Sequence, residues 1–222
     1  MKLNSNEIFR IFKNINWINK KGKIVFNMYD ITVEINTPDI VGVVIEQWIK
    51  KYFILNNIYF RQPNNSQKYP DFYLSDSDYY DLLEIKTFHY PKGPSFDVAN
   101  FDSYCESIKN EPFRLNADYL IFGYDIDKLG NIIIKDIWLK KIWEITGSSN
   151  RYPLKTQLKR NVIYNIRPNT YFRLYKNVEF KNLDDFINAL YLTLKLYKGN
   201  KFADLWLETF KRNKTHFKFK KN

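Results

Sequence analysis

The chain has 222 residues, 45% hydrophobic and 18% aromatic, enough for one well-packed domain and too apolar for a disordered chain. One cysteine excludes an internal disulfide and Cys-x-x-Cys zinc sites, two histidines exclude histidine-rich metal cages, and no apolar run approaches the ~20 residues that span a bilayer. The net charge of +11, from 35 Lys and Arg against 24 Asp and Glu, favours a polyanionic partner, and the polar start MKLNSNEIFRIF lacks a secretory core, so a cytoplasmic protein is expected.

Residues 5–17 carry apolar side chains at helical spacing, with Ser5 as the expected cap. Residues 23–35 alternate and predict a hairpin turning near Tyr29 and Asp30. Thr37-Pro38 marks a helix start, and that helix is expected to run to about Leu55. Strands are predicted at 59–61, 71–74 and 80–86, followed by a helix over 96–109. Residues 118–124 (DYLIFGY) and 132–138 (IIIKDIW) predict two strong strands, the first apolar enough to be central, joined by a turn at 127–131. Helices are expected at 182–197, capped by Asn182 and ended by Gly199, and at 203–211, before a basic tail over 212–222. The order predicts a mixed α+β (α/β) domain spanning 1–222, with helices flanking a central mixed sheet.

Charge is unevenly spread. Residues 151–176 hold seven basic side chains and no acid, and residues 211–222 hold six and no acid. Residues 71–84 invert this, with five acids and no base. A basic chain with one local carboxylate cluster suits a metal-dependent enzyme acting on a phosphodiester, with cations to neutralise phosphates and acids to hold a divalent ion.

The informative stretch is YPDFYLSDSDYYDLLEIK, residues 69–86. Alternation along 80–86 puts Leu82, Glu84 and Lys86 on one strand face and Leu83 and Ile85 on the other. A turn over 75–78 allows 71–74 and 80–86 to pair, which brings Asp71 beside Glu84. Two facing carboxylates repel, so one is protonated or a cation lies between them. Lys86, next to that cation, is placed to orient or deprotonate a water. The plain alternative is a surface hairpin with an exposed Glu84–Lys86 ion pair. Glu46 adds a third carboxylate. Its helical neighbours Gly42, Val43, Ile49 and Phe53 are small or apolar, so it is expected on the core side of its helix, partnered by Lys50 or by the cation site and Lys86.

Pro70-Asp71 and Glu84-Ile85-Lys86, with the upstream Glu46, resemble the signature of the PD-(D/E)xK nuclease superfamily. The longer stretches ILNNIYFRQPNNSQKYPDFYLS, LLEIKTFHYPKGPSFDVANFDSYCESI and RLNADYLIFGY resemble the NgoBV/NlaIV group of type II restriction endonucleases. The resemblance implies a restriction-endonuclease core and hydrolysis of duplex DNA that depends on Mg2+, with Mn2+ able to substitute, leaving 5′-phosphates. It also implies a homodimer, blunt cutting at GGNNCC as in the EcoRV-like branch, and a cognate DNA methyltransferase in the same system. By the same resemblance Asp71, Glu84 and the Ile85 carbonyl would hold the metal, Lys86 would position the nucleophilic water, and Glu46 would assist.

DNA contacts are expected from three segments, with an ordinary turn as the plain alternative for residues 61–68 and a solvated face for the basic run. Arg61, Gln62, Asn64 and Gln67 lie in the amide-rich loop over 61–68. His89, Lys92, Ser95 and Asn100 follow the E-x-K strand. Lys155, Gln157, Lys159 and Arg160 combine cations with an amide in the basic run. Two rivals remain open from sequence: a repair or recombination nuclease of the same superfamily without a fixed target, and a DNA-binding protein without catalysis. No membrane partner is expected.

Overall fold

The computed structural model describes residues 1–17, 20–65, 69–174, 178–215 and 217. By internal contacts the chain divides into two compact units. The first comprises residues 1–94 and 118–139, and the second comprises residues 95–117 and 140–222.

The first unit is built on a five-stranded mixed sheet. It uses β1 (Lys21–Gly22), β4 (Phe72–Tyr73), β5 (Leu82–His89), β7 (Asp118–Ile126) and β8 (Ile132–Lys140), in the order β1-β8-β7-β5-β4. The apolar DYLIFGY segment lies in the middle strand, as its composition predicts. β5 and β7 run parallel with Glu84 opposite Tyr119 and Lys86 opposite Ile121. β4 runs antiparallel to β5, with Phe72 opposite Leu83 and Tyr73 opposite Leu82. A separate two-stranded hairpin, β2 (Val25–Met28) and β3 (Ile31–Glu34), turns at Tyr29 and Asp30 as expected.

Two helices cover this sheet. α1 (Ser5–Asn14) is three residues shorter than its periodicity suggests, and Asn4, not Ser5, caps it. The Asn4 carbonyl accepts from the Glu7 N–H while the Glu7 carboxylate accepts from the Asn4 N–H, which satisfies two orphan donors at once. Thr37 and Pro38 open a 3-10 turn over Pro38–Ile40, which runs into α2 (Val41–Leu55). Val41, Ile45, Ile49 and Phe53 form the buried stripe of α2 and pack in one cluster with Phe12, Phe72, Leu83, Ile85 and Phe122. Val43, expected on the core side, is 63% exposed because the stripe follows i, i+4 steps from Val41. The strand predicted at 59–61 reduces to one bridge, Arg61 opposite Tyr73, since the backbone pairs at that residue alone.

The second unit has a three-stranded sheet, β6 (Ala99–Asn100), β10 (Val162–Ile166) and β9 (Thr156–Lys159), in that order. Its helices are α3 (Phe101–Asn110), α4 (Ile142–Ile145), α5 (Leu183–Lys198) and α6 (Asn200–Lys214). α3 begins five residues later than predicted, because residues 96–100 are taken by an extended approach and β6, and Asn100 accepts from the Ser103 N–H as its cap. Asn182 caps α5 and Gly199 ends it, in accord with the sequence. Within this unit Trp206 donates its indole N–H to the Cys105 carbonyl, and Cys105 itself is buried. Among the described residues no helix is long and apolar enough to cross a membrane.

Candidate active site

The β4–β5 register places Asp71 directly across from Glu84, one step beyond the Phe72–Leu83 pair. Phe72 and Leu83 are fully buried in one apolar cluster and fix this register, because a one-residue slip of β4 would carry Phe72 out of that cluster to the Glu84 face. Asp71 is drawn further in by the Ile85 N–H, which donates to its Oδ2 at 2.6 Å. Glu84 is 9% exposed, and its Oε1 lies 3.0 Å from Lys86 Nζ. Glu84 and Lys86 therefore form an ion pair, but one on a largely buried strand face, with side chains 11% and 19% exposed. The Glu84 Oε2 is buried and makes no hydrogen bond. A buried carboxylate oxygen without a donor costs free energy unless something positive meets it.

Electrostatics point the same way. Burial and the neighbouring Glu84 charge raise the Asp71 carboxyl to about 8, against the opposing pull of the Ile85 N–H. Burial, then Glu84, also raises Glu46, while Lys50 and Lys86 act in the other direction. Glu84 thus lies near enough to raise the Glu46 and Asp71 carboxyls, and Glu46 near enough to raise that of Asp71, with Lys86 opposing both shifts and Lys50 opposing that of Glu46.

α2 brings Glu46 to this spot. Gly42, one turn earlier, lets the helix approach β5, since a Cβ there would lie 3.0 Å from Thr87 Oγ1. Glu46, Gln47, Lys50, Gln62, Asn64 and Asp71 line an open cleft of about 340 Å3. Lys50 and Asp71 therefore share one cleft with Glu46.

The chemistry of the donor set fits a divalent cation. Among the described residues no three His, Cys, Asp or Glu side chains come together closely enough to hold a metal by themselves. Magnesium does not require that, since it keeps several waters and uses one or two carboxylates with substrate phosphate. The Asp71 carboxylate and the buried Glu84 Oε2, which no donor meets, are oxygen groups of the kind such a partial shell uses.

The other expected positions are distributed as follows. Arg61 is committed to the turn: its guanidinium donates to the Ser75 and Ser77 carbonyls and to Asp78, and sits over the Tyr73 ring. Gln62 lies at the Asp71 backbone, its Nε2 3.5 Å from the carbonyl, and Asn64 is exposed on the same cleft. Gln67 lies outside the described residues, as does most of the basic tail. His89 faces Asp125 at 3.2 Å. Lys92 and Ser95 are exposed, and the Ser95 carbonyl accepts from Arg167. Asn100, besides capping α3, donates to the Tyr164 carbonyl.

In the second unit, Lys155 donates to the Pro168 carbonyl and Gln157 accepts from Asn165 across the β9–β10 ladder. Lys159 and Arg160 are exposed at the hairpin tip, where Arg160 and Asn161 both take positive φ (50° and 66°). Two left-handed residues in succession make the tight turn that suits strand twist, and they push both side chains outward.

Sequence reasoning missed Tyr119 and Tyr69. Tyr119 is buried opposite Glu84, and its hydroxyl is hydrogen-bonded to Tyr69, two residues before Asp71. Alternation marks Tyr119 only as an inward residue, and its place under Glu84 depends on the parallel register.

Comparison with known proteins gives consistent matches over most of the chain. The family profile described as NgoBV restriction endonuclease matches residues 2–221. The chain is 35% identical over 215 residues to the type II restriction enzyme NlaIV of Neisseria lactamica, covering 95% of this chain and 88% of that one. It is 32% identical over 162 residues to the type II restriction enzyme NgoBV of Neisseria gonorrhoeae, covering 72% of this chain and 92% of the relative. The solved structure of the NlaIV restriction endonuclease superposes with a TM-score of 0.87 at 34% identity, over 97% of this chain and 90% of that one.

Proposed function

Because the chain belongs to the NgoBV restriction endonuclease family, and is a type II restriction endonuclease by that membership, we propose that it cuts both strands of duplex DNA at GGNNCC with Mg2+ as its cofactor and blunt ends as its product. The observation that carries the reading is the buried Asp71–Glu84 pair with Lys86 Nζ 3.0 Å from Glu84.

In this reading Asp71, Glu84 and the Ile85 carbonyl hold the cation. When bound, it polarises the scissile phosphate and lowers the pKa of a water. Lys86 Nζ holds the attacking water, and Glu46 steadies Lys86 from α2. The water oxygen attacks phosphorus, the bond to O3′ breaks, and a 5′-phosphate and a 3′-hydroxyl result. Mn2+ substitutes because the donor set is all oxygen.

Gln62 and Asn64, at the cleft, and Lys159 and Arg160, at the β9–β10 tip, are the strongest candidates for groove and phosphate contacts. Two phosphodiesters must be cut and each chain holds one such centre, which supports a homodimer acting on a two-fold symmetric target. The two units work as one nuclease, in the cytoplasm, beside a methyltransferase that protects host sites.

Digestion of unmethylated phage DNA with Mg2+ or with EDTA, followed by sequencing of the ends, tests this. The expected result is discrete fragments with Mg2+ alone, each ending at the centre of GGNNCC. Fragments ending at another palindrome would reject the target, and a smear would reject site-specific cleavage.

A further inference from the structure

The stretch from Asp71 to Glu84 holds more carboxylates than a cation site needs. Asp71 and Glu84 face each other across β4 and β5, while Asp76, Asp78 and Asp81 lie on the turn between the strands. Two of these turn acids are anchor points for side chains from outside the β4–β5 hairpin. Asp76 accepts from the Tyr59 hydroxyl at 2.6 Å and from Lys2 Nζ, and Asp78 accepts from the Arg61 guanidinium at 2.8 Å. The backbone is held from the same side. On its inner edge β4 pairs with β5 through two residues. On its outer edge the Arg61 N–H donates to the Tyr73 carbonyl at 2.8 Å, and the Tyr73 N–H donates to the Arg61 carbonyl at 2.9 Å.

The Arg61 side chain extends this hold from β4 to the turn. Its Nε donates to the Ser75 carbonyl at 3.1 Å and its Nη2 to the Ser77 carbonyl at 3.0 Å, and the guanidinium lies 4.8 Å from the centre of the Tyr73 ring. Residues 75–81 belong to no helix or strand, so these carbonyls have no ladder to pair with. A planar fork of fixed donors can span two carbonyls and a carboxylate and still lie over a ring, whereas a lysine ammonium cannot do all of this at once. Arg61 thus joins Tyr73 to the turn that leads into β5, and Asp71 lies two residues from Tyr73. The Arg61–Tyr73 bridge also closes the segment that carries Gln62 and Asp71, where Gln62 Nε2 approaches the Asp71 carbonyl at 3.5 Å.

We infer that Arg61 is a positioning residue for cleavage: by locking Tyr73 to the 75–78 turn, it holds Asp71 opposite Glu84. The inference rests on the reading that Asp71 holds Mg2+ at that place. A two-residue strand at the edge of a sheet is among the first parts of a fold to open locally, and Asp71 stands at its entry. Charge alone does not supply the hold. The Asp78 side chain is 66% exposed, and an ion pair so close to water contributes little. The bonds from the fork to the turn backbone, with the Tyr73 ring beneath it, supply the rest.

Two variants of the whole chain test this: Arg61→Ala, and Arg61→Lys, which keeps the charge. Hydrogen exchange in the cation-free protein reads the position of Asp71 without any catalysis. The Ile85 amide, which donates to Asp71, should lose protection by about tenfold or more in both variants, while the Leu120 amide in β7 keeps its own. The Mg2+ concentration for half-maximal cleavage should rise about tenfold for Arg61→Lys and up to about a hundredfold for Arg61→Ala, with the rate at saturating Mg2+ largely recovered. Binding of uncleaved duplex in EDTA should keep its affinity and its salt dependence, whereas loss of a phosphate contact would lower the salt slope by about one. An Arg61→Lys protein with the wild-type Mg2+ midpoint and wild-type Ile85 protection would overturn the inference. So would a lower salt slope with an unmoved midpoint, which would make Arg61 a DNA contact. An equal loss of protection at Ile85 and Leu120, with slower cutting at every Mg2+ concentration, would overturn it as well, since that is loss of the fold alone. Asp78→Asn leaves the fork on the turn backbone, and a midpoint shift in it as large as that of Arg61→Ala would reject the fork as the cause. The cleavage reading fails separately: a wild type that cuts without Mg2+ would reject that reading, and the Ile85 amide would still report whether Arg61 holds Asp71.

Discussion

The Asp71 carboxylate accepts a hydrogen bond from the Ile85 N–H at 2.6 Å, and this contact ties the entry of β4 to the E-x-K strand. It binds Asp71 and the Glu84-Ile85-Lys86 run into one corner of the sheet. The same contact makes Asp71 unusual among buried acids. Its N–H donor favours the charge, while its burial and the Glu84 carboxylate oppose it more strongly.

A pH dependence follows for the cation-free protein. Asp71 sits at about 8 in the fold against 3.8 in the unfolded chain, so the folded state holds a proton that the unfolded state releases in that window. Stability should therefore fall as pH rises from about 4 to 8. Asp71→Asn removes this loss and keeps an acceptor for the Ile85 N–H. In EDTA its melting temperature should match the wild type at pH 4 and exceed it by several °C at pH 8. Thermal melts across that range check the sign, and a constant offset at all pH values would refute the assignment. The same variant should cut DNA on the order of a thousandfold more slowly.

Lys86 should separate chemistry from binding. Lys86→Ala is expected to slow single-turnover cleavage by about 10²–10⁴-fold. Binding of uncleaved duplex should change much less, because a single interior lysine contributes little to phosphate neutralisation. Retained cleavage in this variant would remove Lys86 from the water-positioning role.

Tyr119 should act as a positioning residue through Glu84 and Tyr69. Tyr119→Phe keeps the ring in the core and deletes the hydroxyl bonded to Tyr69. The Mg2+ concentration for half-maximal cleavage should rise about 10–100-fold, with the rate at saturating Mg2+ largely recovered. A purely structural role would lower the rate at every Mg2+ concentration and leave that midpoint in place.

Gly42 sets the approach of α2. Its Cβ position lies 3.0 Å from Thr87 Oγ1, so Gly42→Val should force the helix outward at a cost of about 1–3 kcal/mol. Glu46 would move with it. Denaturant melts and cleavage rates together check this, and Gly42→Ala should fall between the two, since only a few tenths of an ångström are needed.

Much of the site was readable because it is local. Asp71, Glu84 and Lys86 lie within sixteen consecutive residues, and period-2 alternation with a short turn determines which side chains meet. The helical turn that Thr37-Pro38 opens ahead of α2 and the α5 boundaries at Asn182 and Gly199 were legible for the same reason, since caps act over three or four residues. Tyr119 was hidden because its neighbour Glu84 is 35 positions away across a parallel pair. Arg61 looked like a groove contact by composition, and only the fold shows its donors turned onto the 75–78 backbone. Val43 failed as a core residue because an α2 reading centred on Glu46 rotates the stripe away from Val41.

The parallel partnership of β5 and β7 also bears on how the enzyme comes into being. β4 and β5 are consecutive and close locally, but β7 follows only after residues 95–117 have been made. During synthesis the carboxylate corner must wait for a distant strand before it is buried on both flanks, and such long-range closure is the slow part of folding. A nascent chain ending before Asp118 should therefore carry all three acids and the lysine yet be unable to cut. A cell that makes this nuclease would then meet its activity only when most of the molecule has emerged.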